Sequence, residues 1–193
     1  RARDSGVSKV FMPNIDDTTV EAMLNVCTAY KGYCFPMIGF HPTSVGADSL
    51  FRIYEMKKLL SGEHPFVAVG EVGMDLYWDK TYLKEQQKAL DIQIQWALEY
   101  HLPLVLHCRE AFPELFEVME PYKKTELSGI FHSFTGTLEE AGQVLEYARF
   151  FFGINGVVTF KKSSLAEVLP HIPLDRIVLE TDSPYLALSL IHI

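Results

Sequence analysis

The amino-acid sequence predicts an α/β fold: a parallel sheet made of βα units and closed as a TIM-type (βα)8 barrel. Two observations point there. Short β-branched or apolar runs alternate along the 193 residues with longer stretches of helical periodicity, the pattern of parallel strands joined by helical crossovers. The unusual polar residues stand at the C-terminal ends of those runs, and in such a barrel these ends all open onto one face, where active sites are built.

Seven runs read as strands. Residues 7–15 are the first, followed by 18–30, where Val20, Met23, Leu24 and Cys27 fall at helical spacing. Residues 34–40 form the second strand, and a helix over 50–60 leads to a third at 66–69. The longest helical pattern spans 82–100, with Ala89, Ile92, Trp96 and Tyr100 on one face, and Pro103 ends its turn. A strand at 104–107 precedes a short helix at 113–119; 129–132 is the next strand, 138–147 the next helix, and strands at 150–154 and 177–180 complete the series. Loops are short and no Pro/Gly/Ser-rich linker interrupts them, so residues 1–193 read as one domain. Alternation alone leaves a seven-stranded doubly wound sheet open as the other topology.

Composition narrows the function. A hydrophobic content of 48% is that of a folded globule, and no apolar run approaches the roughly 18 residues of a membrane span. With no signal-like opening, a soluble, cytoplasmic protein is expected. Cys27, Cys34 and Cys108 are odd in number and lack zinc-like spacing, so buried free thiols are expected. A net charge of −8 without a Lys/Arg run argues against a broad basic nucleic-acid face, but a site holding divalent cations brings its own positive charge.

The strand-end residues carry the chemistry. Glu71 follows Val67-Ala68-Val69-Gly70, His107 closes Leu104-Val105-Leu106, His132 closes Ile130-Phe131, and Asp182 follows the run 177–181. One such residue is ordinarily a cap or a satisfied loop group; four on one barrel face call for a shared cation, because buried charges need partners. Two imidazoles and two carboxylates suit zinc, manganese or iron and, with water, magnesium. His41, before Pro42, either faces substrate or caps a turn. His64, His101, His171 and His192 read as loop, helix-end and tail residues, and Cys108 as a packed thiol. Thr137 and Glu140 have the spacing of a capping box, at a helix start that could also receive an anion.

Five ordered motifs give a resemblance. Gly39-Phe40-His41-Pro42, Gly70-Glu71-Val72-Gly73-Met74-Asp75, Leu106-His107-Cys108-Arg109, His132-Ser133-Phe134-Thr135-Gly136 and Leu179-Glu180-Thr181-Asp182-Ser183-Pro184-Tyr185-Leu186 together resemble the TatD-type metal-dependent deoxyribonucleases of the amidohydrolase superfamily, across residues 6–187. The resemblance implies DNA, or RNA, as substrate and two divalent cations (Mg, Mn or Zn) as cofactors, with no membrane and no obligate protein partner. Glu71 would bridge the cations, His107 and His132 would hold one, and Asp182 would bind the other and act as general base. Superfamily branches bridged by a carbamylated lysine differ at the position of Glu71. Arg109 either grips a phosphate or makes a surface ion pair, Tyr77 and Trp78 either stack on a base or pack their loop, and Lys161 is a further phosphate candidate.

The chain departs from that pattern at both ends. Family members open with a strand carrying His-x-His, which is found nowhere here, and continue past the Asp-Ser-Pro motif where residues 188–193 stop. The expectation is therefore a barrel lacking its first strand and last helix, with two ligands of one cation site missing. Two alternatives to DNA cleavage stay open: hydrolysis of RNA or of aminoacyl-tRNA esters, and an inactive fragment that only binds metal.

Overall fold

In a computed structural model, residues 2–183 and 185 are described; Pro184 and Leu186 of the last motif, and His192, lie outside the described residues. Seven strands alternate with six helices: β1 (Val10–Pro13), α1 (Val20–Ala29), β2 (Cys34–Ile38), α2 (Ser49–Lys57), β3 (Ala68–Asp75), α3 (Leu83–Glu99), β4 (Leu104–Arg109), α4 (Phe112–Met119), β5 (Gly129–Phe131), α5 (Leu138–Leu145), β6 (Phe150–Ile154), α6 (Leu165–Val168) and β7 (Ile177–Leu179). All neighbouring strands are parallel and their spatial order is the sequence order, β1 to β7. A doubly wound sheet reverses its strand order partway and places helices on both faces. Unbroken sequential order with right-handed crossovers puts every helix on one side, so the sheet curls as part of a barrel.

Residue alternation follows from that curl. In β4, Leu104, Leu106 and Cys108 are buried under the helices, whereas Val105, His107 and Arg109 turn to the concave side. The ladder aligns Val105 with Ile130 and Phe151 on that side, and Phe11 with Phe35. On the convex side α3 supplies Gln86, Ala89, Leu90, Gln93, Ile94 and Ala97, a buried stripe at helical spacing. Helix α5 begins with the expected capping box between Thr137 and Glu140, and Pro113 stands in the first turn of α4, where a missing N–H costs nothing. The three cysteines are free and buried. No helix among the described residues is long and apolar enough to cross a membrane.

Two strands run well past their expected ends, while the first is shorter than expected, 10–13 rather than 7–15. The third strand runs on to Asp75, so Glu71 stands inside β3, and the fourth continues past His107 to Arg109. The cause is a register shift between Gly70 and Val72 against β4: a β-bulge re-aims Glu71 and lets pairing resume beyond it. Gly73 makes the resumption possible. Its φ of 142° is open to glycine alone, and a Cβ there would overlap the backbone carbonyl of His107. The short helix α6 went unforeseen because its four residues are too few to display a period.

Gly73→Ala is expected to cost about 3 kcal/mol or more and to spread β3 from β4. Equilibrium urea unfolding of the variant against the unaltered chain checks this; equal stability would show that the close approach is dispensable.

Candidate metal centre

Strand ends deliver the site. Glu71 comes from the bulge in β3, His107 from β4, His132 from the residue after β5, and Asp182 from the segment after β7. His41 follows β2, its N–H tied to the carbonyl of Ile15 at 2.8 Å. One Glu71 carboxylate oxygen, Oε1, lies 3.1 Å from His107 Nδ1 and 3.9 Å from both His41 Nε2 and His132 Nε2. His41, Glu71 and His107 each offer a ligand atom within 4.8 Å of the others. His132 Nε2 is in turn 2.7 Å from Asp182 Oδ1. The four strand-end residues and His41 thus form one contiguous cluster.

His41 also caps the turn Pro42–Ser44: its Nδ1 accepts from the Thr43 N–H at 3.2 Å and sits 2.7 Å from the Thr43 hydroxyl. The hydroxyl can accept where the N–H donates, so either tautomer finds a partner and Nε2 stays aimed at Glu71. His41 therefore belongs to the centre as well as to its turn.

Two carboxylates that spacing did not single out hold the imidazoles from behind. Asp75 Oδ2 lies 2.9 Å from His107 Nε2, and Glu180 Oε2 lies 2.8 Å from His132 Nδ1. Glu180 also accepts from the Ser133 N–H. With those nitrogens donating, His107 presents Nδ1 and His132 presents Nε2 toward Glu71, the arrangement by which a carboxylate orients a ligating histidine. Strand parity offered a signal for both, since Asp75 is four residues from Glu71 and Glu180 two from Asp182. Asn155 is a third missed residue: its amide donates to Ser133 Oγ at 2.6 Å and to Asp182 Oδ2 at 3.4 Å.

Buried amides fix the backbone that carries these groups. Asn14 makes two hydrogen bonds to Gly39, accepting from its N–H at 2.9 Å and donating to its carbonyl at 2.7 Å. Gln93 does the same for Phe40, at 2.6 and 3.3 Å, and Gln86 for Asp75, at 2.9 and 3.0 Å. Each amide stands in for a peptide group of a neighbouring strand where the ladder has ended. Ser133 and Glu110, just past the β5 and β4 site residues, hold φ of 49° and 55°, a strain found where surroundings over-determine a functional backbone.

The donor set fits a divalent cation. Four carboxylates, Glu71, Asp75, Glu180 and Asp182, converge on three histidines, and without a metal, protons must balance them. Burial works against a charged His107, yet hydrogen bonds to Asp75 and Glu71 outweigh it and raise its pKa to about 9. Burial likewise opposes charge on His132, and its bonds to Asp182 and Glu180 raise it to about 10. For Glu71, burial pushes upward, but the His107 hydrogen bond and the neighbouring imidazoles bring it down to about 2. Burial dominates at His41 and lowers it to about 4, leaving it neutral. Two imidazolium groups against four carboxylates leave a deficit of positive charge that a divalent ion would fill.

The Arg109 guanidinium is stacked 3.7 Å above the Tyr77 ring and 5.5 Å from Trp78. Lys161 is exposed in the turn after residues 156–159.

Comparison with known proteins adds a lineage. The family described as TatD related DNase matches residues 1–190. The 3'-5' ssDNA/RNA exonuclease TatD of Pantoea sp. (strain At-9b) is 34% identical over 188 residues, which cover 96% of this chain and 72% of that protein. An uncharacterized metal-dependent hydrolase of Bacillus subtilis (strain 168), YabD, is 31% identical over 187 residues with the same coverage. Among solved structures, YJJV, a TATD homolog from Escherichia coli k12, superposes with a TM-score of 0.84 at 27% identity, over 97% of this chain and 72% of that one.

Stability of the metal-free protein should follow the two imidazoles. Their folded pKa values lie above the ordinary 6.5, so their contribution is complete below pH 6.5 and is lost as pH rises through about 9 and 10. Glu71 contributes above its ordinary 4.5, and that share is lost only as pH falls toward about 2. The melting temperature in chelator is therefore expected to decline between pH 6.5 and 10, while Mn²⁺ affinity rises over the same window as protons are displaced. A flat melting profile would remove His107 and His132 as the balancing charges.

Proposed function

The chain belongs to the TatD-related DNase family and is a metal-dependent hydrolase, and from that premise we propose that it cleaves phosphodiester bonds of DNA with two divalent cations and Asp182 as general base. Single-stranded DNA is the preferred form and RNA a second substrate, in keeping with the name carried by the Pantoea relative. One observation carries the reading: a single carboxylate, Glu71, stands within 3.1–3.9 Å of imidazoles from three other strands.

Glu71 would be shared between the two cations, with His107 and His132 on one and Asp182 on the other; His41 adds a donor on the His107 side. When bound, such ions lower the pKa of water, clamp a phosphodiester oxygen and offset charge on the leaving alkoxide. The chain's own residues do the rest. Asp75 and Glu180 keep the imidazoles turned toward Glu71. Asn155 holds Asp182 Oδ2 and so restricts the carboxylate's rotation. The Asp182 side chain is only partly buried, so it can take a proton from water at the mouth of the site and pass it to solvent. Arg109 and Tyr77 flank this mouth and contact substrate.

Assays of a single-stranded oligonucleotide with Mg²⁺ or Mn²⁺ test the proposal. Asp182→Asn is expected to lower kcat by about 10²- to 10⁴-fold with little change in KM, and Glu71→Ala to abolish both turnover and tight Mn²⁺ binding. Undiminished cleavage by either variant would refute the assignment.

A further inference from the structure

An open cleft of about 490 Å³ has walls that include Tyr77, Arg109, Glu110, Phe112, Thr135 and Glu140. Chain position ties it to the site: Tyr77 is two residues past Asp75, Arg109 two past His107, and Thr135 three past His132. The Tyr77 N–H is bonded to Asp75 Oδ1 at 3.1 Å, so the wall and the histidine-holding carboxylate are one unit.

The chemistry of this lining does not suit a phosphate. One guanidinium faces two carboxylates, Glu110 and Glu140. The first turn of α5 offers no compensation, because the Thr137 N–H already donates to Glu140 and the Glu140 N–H to Thr137 Oγ1. Arg109 itself is committed to the Tyr77 ring at 3.7 Å. What the cleft does present is flat surface. Tyr77 is 50% exposed, and Trp78, edge-on to it at 4.8 Å, is 74% exposed. The Arg109–Tyr77 stack, with Trp78 standing edge-on to Tyr77, rewards a planar partner, since a guanidinium stacked on a ring keeps its outer face free for another plane. The carboxylates then accept from amino groups, and the Thr135 hydroxyl can do either.

We infer that this cleft receives one unpaired nucleobase of the substrate strand, stacked on the Arg109–Tyr77 layer next to the phosphodiester at the metal centre. The inference rests on the phosphodiesterase reading and names the part of the substrate that the cleft takes: a base still stacked and paired in a duplex cannot enter, whereas one in a single strand can.

The chain's two tryptophans permit a test without turnover. Trp96 is 1% exposed in the core, so ligand-induced fluorescence changes report on Trp78. The chain in chelator is titrated with adenosine monophosphate, ribose 5-phosphate and inorganic phosphate. Saturable quenching by the nucleotide is expected, with ribose 5-phosphate and phosphate at least about tenfold weaker. Tyr77→Ala should weaken the nucleotide by a similar factor; should that variant not fold, the comparison of ligands on the unaltered chain decides. Equal response to the nucleotide and ribose 5-phosphate, or none to the nucleotide, overturns the inference. A chain that discriminates the base yet hydrolyses no DNA overturns the phosphodiesterase reading and leaves the cleft; one that hydrolyses DNA without base discrimination does the reverse.

Discussion

A carboxylate out of water must be paired, and Glu71 is the carboxylate around which this structure is arranged. Leaving it buried and unpaired would cost several kcal/mol, so the fold has to bring positive charge to it from other strands. It does so with imidazoles at 3.1 and 3.9 Å. Two of them, His107 and His132, are held charged by carboxylates of their own, Asp75 and Glu180, while His41 stays neutral, and the chain of pairing ends only where Asp182 meets solvent. The same arithmetic that leaves the metal-free centre short of positive charge suits it to a cation. Structure and affinity here have one origin.

Such a cluster is useful only if its members cannot drift, and the buried polar residues show how drift is prevented. Asn14, Gln86 and Gln93, all buried, clamp the backbones of Gly39, Asp75 and Phe40. A sheet ladder would otherwise stop before the active face and leave strand-end N–H and C=O groups to water. Supplying an amide from a helix or loop continues the ladder by one rung without another strand. Glycine does the complementary work: at Gly153 a Cβ would collide with the Glu180 carboxylate that secures His132. Close approach and full hydrogen bonding therefore come from different residues at the same strand ends.

Much of this was legible in the sequence because the two signals used are strong. Apolar runs alternating with helical stripes located the seven strands among the described residues, and position at the C-terminal strand ends grouped Glu71, His107, His132 and Asp182. The misreadings have physical causes. Residues 70–75 contain two glycines and two acids and read as loop, since a bulge that re-pairs beyond itself leaves no mark in hydrophobic periodicity. His41 was undecided because a turn cap and a donor to a neighbouring carboxylate use opposite nitrogens of one ring, and spacing cannot see which. The amides were missed for a different reason: Gln86 and Gln93 lie on the apolar stripe of α3, where glutamine usually marks solvent. Strand order, which separates a curled sheet from a doubly wound one, is a pairing property that alternation does not encode.

The acidic surface bears on how a polyanion is held. With a net charge of −8 and no basic run, long-range repulsion opposes binding, and counterion release from a lysine-rich face is not available as a driving force. Affinity must then be local. On the proposed reading, cations held at Glu71 would neutralise the phosphate, and planar contacts at Arg109 and Tyr77 would add binding that does not depend on sign. That division would give a role to the guanidinium stacked on the Tyr77 ring: held there, Arg109 offers a flat face, whereas a free Arg109 would be drawn into an ion pair with Glu110 or Glu140. Were the positive charge carried by exchangeable ions, the metal-free site would keep only the stacking contact with a base, and hold on the phosphodiester would require the loaded site.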